Sequence, residues 1–133
     1  MRSISSTLAL AGFLCLAIGC GGGGQSSVGG KVTLSDGSPA VGATVNFENL
    51  EKHTRSTGIT NDAGDYQLST SAKNDGAPPG DYRVTVHQPL PADSSETVVT
   101  RIFPDRYEKP DTSTLQHTVT SGSNKYDIRL EAQ

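Results

Sequence analysis

The chain has no tryptophan, two cysteines, and aromatic residues at only 5% of its 133 positions. It has no block of positive charge either. Eleven Lys and Arg stand against 14 Asp and Glu, for a net charge of −3. That balance argues against a nucleic-acid binder, which usually carries a basic stripe and a high isoelectric point. A strict glycine period and a heptad repeat are both missing, which excludes collagen and coiled coil. No G-x-S-x-G nucleophile motif occurs. The three histidines, His53, His87 and His117, form neither H-x-H nor H-E-x-x-H, the local pairs typical of zinc sites. There is also no long apolar run. Leu8 to Ile18 is 11 residues without a charge, against the roughly 20 that a hydrocarbon core requires.

That short run has another reading. Met1-Arg2 is a positive start, and Leu8–Ile18 has the length of a signal-peptide apolar region. Leu16-Ala17-Ile18-Gly19-Cys20 then resembles the lipobox of bacterial lipoproteins. The resemblance implies cleavage after Gly19 and a diacylglycerol on the Cys20 thiol. Residues 1–19 are therefore expected to be a signal peptide and 20–27 a lipidated cysteine with a Gly/Ser tether. Each buried lipid methylene contributes about 0.8 kcal/mol, so two or three acyl chains hold a protein firmly. The expected partner is a lipid bilayer in the cell envelope. Gly21 stands where inner-membrane retention would place Asp, which favours the outer membrane. Cys15 leaves with the signal and lipid consumes Cys20. The mature domain must then stand without a disulfide, on its core alone.

From Val28 onward, short alternating stretches are separated by turn residues. Val28, Val32 and Leu34 share one parity, with Lys31 and Thr33 on the other. Val45 and Phe47 are predicted inward, and Thr54–Thr60 is a weak strand with Ile59 its only large apolar residue. Asn61-Asp62-Ala63-Gly64 is predicted to be a hairpin turn. Tyr66 and Leu68 share a face. Tyr82, Val84 and Val86 form the cleanest inward row, followed by Leu115, His117 and Val119, and then Tyr126, Ile128 and Leu130. Lys125, Asp127 and Arg129 point outward. Residues 28–133 are predicted to be one all-β domain, a seven-stranded antiparallel Greek-key β-sandwich.

Three motifs then resemble carboxypeptidase regulatory-like domains. They are Gly29-Gly30-Lys31-Val32 through Pro39-Ala40-Val41-Gly42-Ala43-Thr44-Val45, the turn Thr60-Asn61-Asp62-Ala63-Gly64-Asp65-Tyr66, and Pro79-Gly80-Asp81-Tyr82-Arg83-Val84-Thr85-Val86. The likeness covers Val28 to about His87 and resumes near Asn124–Leu130. Pro104 to Leu115 is similar to a P-x-x-Y-x-x-P-x-x-S/T-x-L pattern of small bacterial lipoproteins that consist of such a domain. The resemblance implies a transthyretin-like sandwich that serves as a non-catalytic module, without a cofactor.

The residues themselves single out no chemistry. Asn61, Asp62 and Asp65 offer too few oxygens for a calcium loop, and Asx side chains at a turn bond their own backbone. Tyr66, Tyr82, Tyr107 and Tyr126 read as core more than as a sugar-stacking platform, because three sit at inward parity. Two enzyme families share the transthyretin-like fold. The C-terminal Y-R-G-S end of hydroxyisourate hydrolases and the H-x-H iron ligands of intradiol dioxygenases are both absent. The connection from His87 to Leu115 is too long to be structureless in a compact domain. Phe103 and Tyr107 are expected to pin it, stiffened by Pro104 and Pro110, while Ala92–Glu96 stays exposed and mobile. Phe103, Arg106 and Tyr107 are also the candidate partner-facing residues, since recognition usually sits on loops. The expectation is a non-catalytic, membrane-anchored lipoprotein acting through contacts with an envelope protein. A carbohydrate- or peptidoglycan-binding lipoprotein is the alternative, and a transthyretin-like enzyme comes third.

Overall fold

A computed structural model describes residues 24–90 and 101–133. The signal segment, Cys20 and the Ala92–Glu96 stretch lie outside the described residues. The elements in chain order are β1 (Ser27–Leu34), β2 (Thr44–Asn49), β3 (Thr54–Ile59), β4 (Asp65–Gln67) and β5 (Gly80–His87). A single 3₁₀ turn over Asp105–Glu108 follows, then β6 (Gln116–Val119), β7 (Ser123–Lys125) and β8 (Ile128–Leu130). Among the described residues no helix is long and apolar enough to cross a membrane.

Two sheets form a sandwich. One has the order β3-β2-β5-β6; in the other, β1 lies between β4 and β7, and β8 pairs with the far half of β1. The chain crosses from sheet to sheet at β1–β2, β3–β4, β4–β5 and β6–β7, the Greek-key plan. Alternation drives this arrangement. Val28, Val32 and Leu34 of β1 and Tyr82, Val84 and Val86 of β5 are buried, and they meet Val45, Phe47, Ile128 and Leu130 between the sheets. Each such side chain gains on the order of 1.5–3 kcal/mol on leaving water.

One detail differs from the sequence reading. The pairings of β1 with β7 and with β8 are parallel, not antiparallel. The register is the same on both sides of the break, Ser27 facing Ser123 and Val32 facing Ile128. β7 and β8 are thus one strand interrupted at Tyr126-Asp127, and counting it once recovers seven. Gly30 permits the interruption, because a Cβ there would lie 2.1 Å from the Tyr126 carbonyl oxygen. The Asn61–Gly64 turn reverses the chain as expected: the Asn61 N–H donates to the Asp65 carbonyl at 2.9 Å, and Thr57 and Ser69 exchange backbone hydrogen bonds in the same register. The turn carries the chain from β3 in one sheet to β4 in the other, with Gly64 at φ +82°.

The fold starts earlier than the composition suggests. Ser26 is buried and exchanges backbone hydrogen bonds with Ala77, and Ser27 opens β1. Their polarity reads as tether, but their backbone groups are paired. In β3 the buried positions are Ser56 and Gly58, while Ile59 is 67% exposed. Register, more than side-chain apolarity, decides that strand. Its Thr57 bridges to Ser69, which closes one side of the sandwich.

Candidate functional site

The opposite side of the sandwich lies between β6 and the β7–β8 strand. β6 pairs only with the first half of β5. Residues 101–115 cover the remainder as a strap. Phe103 is fully buried, and Tyr107 meets it edge-on at 6.2 Å. Buried polar groups hold the strap to β5. The Gln88 amide donates to the Phe103 carbonyl at 2.6 Å and accepts from the Ile102 N–H at 2.9 Å. Ser113 Oγ donates to the Val84 carbonyl at 2.5 Å, and Arg83 donates to the Ser113 carbonyl at 2.9 Å. Toward the other sheet, the Tyr107 hydroxyl accepts from the Glu131 N–H at 3.2 Å. Each of these strap-side polar groups therefore has a partner, as burial demands.

Nearer β7 the same opening is closed by rings. His117 of β6 stacks on Tyr126 at 4.5 Å and 20°, and both meet Phe47 edge-on at 6.0 Å. His117 Nε2 is shielded and has no hydrogen-bond partner among the described residues. Desolvation lowers the His117 pKa, because an imidazolium there would lose its water. Burial raises the Tyr126 and Tyr66 hydroxyls for the mirror-image reason. Tyr66 spends its hydroxyl on the Tyr126 carbonyl at 2.5 Å.

The outer face of the smaller sheet carries a groove of about 860 Å³. Its side chains stand in rows across three strands. Gln67, Gly29 and Lys125 are register partners, and Ser27 lies beside Ser123. Lys31 sits between Asp65, 3.9 Å from its Nζ, and Asp127, which accepts its backbone N–H at 3.0 Å. Gly29 supplies no side chain, so the middle row is notched. Ile59 stands at the rim.

The predicted site residues separate on this frame. Tyr107 packs against the sandwich, and Phe103 more deeply still. The partner-facing assignment is therefore corrected for both, since a buried ring cannot meet a partner. Of the three only Arg106 is exposed; it lies over the Tyr107 ring at 5.0 Å and pairs with Glu131 at 2.6 Å. Cys20 lies outside the described residues. Asn61 spends its side-chain oxygen on the Ala63 and Asp65 N–H groups, as an Asx turn does. Among the described residues no three His, Cys, Asp or Glu side chains gather as a metal site. All four tyrosines are buried or half-buried, so none forms an open stacking platform. The groove was missed, although outward parity had marked Lys31, Lys125 and Asp127. Parity says which face a side chain takes but not which strands lie side by side.

No family model and no curated protein matches the chain. Among solved structures it is similar to the Bacillus anthracis TIE protein, at 16% identity and a TM-score of 0.47. That match covers 82% of this chain and 16% of the other, so the chain spans about a sixth of that protein. At this distance the likeness carries no functional meaning across.

Proposed function

We propose that the chain is a non-catalytic, membrane-anchored lipoprotein of the bacterial cell envelope. In this reading it is a carboxypeptidase regulatory-like, transthyretin-like module held by acylated Cys20 and working through surface contacts. The two-sheet sandwich supports the module reading. The observation that carries the anchor is spacing. Only five residues separate Cys20 from Ser26, which is already paired with Ala77. Fully extended, that link covers no more than roughly 20 Å, so the domain sits close to the bilayer. The end that would face the lipid bears the 50–53, 70–79 and 120–122 turns, linked through Lys52 to Pro79 and through Ala77 to Ser26. The C-terminus and the Asp36 and Asp62 turns lie at the other end of the strands, away from the bilayer.

Expressed in a bacterium, the protein is expected to partition into detergent and to incorporate labelled fatty acid, and Cys20→Ser is expected to do neither. Equal labelling of the two forms would remove the anchor. The alternative, contact with a carbohydrate or peptidoglycan, is favoured by one observation, the polar groove on β4, β1 and β7.

A further inference from the structure

We infer that this groove binds a neutral oligosaccharide. The assignment deepens the carbohydrate reading and is independent of the anchor. A volume of about 860 Å³ lies within the range of small-ligand sites. The walls narrow the ligand class. Ile59 is the one aliphatic side chain among the lining residues and polar surface outweighs apolar, so a wholly apolar ligand is poorly matched. Anions gain little as well. Lys31 is flanked by Asp65 and Asp127, and Lys125 stands 3.8 Å from Asp127. With charge balanced locally, the remaining offer is a mixed set of donors and acceptors, including the Gln67 amide. Sugar hydroxyls both donate and accept, and match that set.

The spacing fits too. Neighbouring strands lie about 4.8 Å apart, close to the width of one sugar ring. A linear trisaccharide laid across β4, β1 and β7 would seat one ring on each strand, with the central ring in the Gly29 notch. That notch is held open by the backbone: a Cβ at Gly29 would come 2.8 Å from the Tyr66 carbonyl oxygen. Ile59 then offers a surface for the C–H face of the ring nearest the rim. Without an aromatic partner the affinity is expected in the millimolar range.

The test is calorimetric titration of the full-length protein in detergent with tri-N-acetylchitotriose, cellotriose and trigalacturonate. At least one neutral sugar is expected to bind, and trigalacturonate no better than it. Gln67→Ala and Lys125→Ala, both at exposed positions, are each expected to weaken binding roughly tenfold with unchanged melting. Arg55→Ala, on the outer face of the other sheet, is expected to leave it intact. Neutral binding that ignores Gln67 and Lys125 would overturn the groove and leave the carbohydrate reading standing. No neutral binding at tens of millimolar would overturn both. Tighter binding of trigalacturonate would overturn the assignment to a neutral ligand.

Discussion

Phe103 and Tyr107 close one half of the open side of the sandwich, and His117 and Tyr126 close the other. The first closure is an insertion between strands, tied down by the Gln88 amide, Ser113 and the Tyr107 hydroxyl. The second is a ring on β6 stacked on one at the break between β7 and β8, with one nitrogen unpaired among the described residues. The contrast concerns chain entropy. A strap must be ordered over many residues, so it needs buried rings and paired polar groups to offset that cost. Rings on or between strands need only their own rotamers, and can leave an imidazole without a partner.

The largest expected effect tests the strap. Phe103→Ala removes a fully buried ring and is expected to cost about 3–5 kcal/mol, a fall in melting midpoint on the order of 15 °C for a domain of this size. Circular dichroism melts would measure it, with Phe103→Leu as the milder companion. A midpoint unmoved by both would mean that the strap is not part of the cooperative unit. Smaller is Tyr107→Phe, which keeps the ring and leaves the Glu131 N–H without its partner. About 1 kcal/mol is expected, again read as a midpoint. A loss as large as that of Phe103→Ala would place the strap's strength in its polar tie instead.

The smallest effect separates the two closures by pH. His117 is held below the ordinary histidine value of 6.5 by desolvation. Its unfolded form therefore takes up a proton first. The stack's contribution is full above pH 6.5 and declines as pH falls through the lowered folded value. The wild type is expected to lose a few degrees of midpoint between pH 7.5 and pH 5.5, roughly the effect of a partly exposed histidine. His117→Phe should flatten that slope, whereas Tyr107→Phe should keep it. A slope that survives His117→Phe would assign it to another group.

Much of the strand pattern was legible. Tyr82, Val84 and Val86 are inward because a period of two leaves little choice once the flanking turns are in place. Tyr107 as an anchor was legible from chain economy, since a long connection needs one. The burial of Phe103 was read in the same way, but its assignment to a partner was not compatible with it. β3 carried little cue, because Ile59 is its only large apolar residue and yet the register to β2 puts Ser56 and Gly58 inward. Gln88 and Ser113 carried no cue at all, since a polar side chain in a polar stretch looks solvated until something is seen to cover it.

By itself the sequence determined an all-β domain with alternating faces, its turns, and the place of Cys20 at the end of a short apolar run. These are local properties, set by side-chain parity and backbone preference. Only the tertiary structure decided that β1 runs parallel to β7 and β8, that the strap seals the edge, and that Gln67, Gly29 and Lys125 form one row. Those residues are far apart in the chain, and contacts of that kind depend on the order of strands in a sheet. That order minimises exposed apolar area and unpaired backbone over the whole molecule, so no single stretch of sequence specifies it.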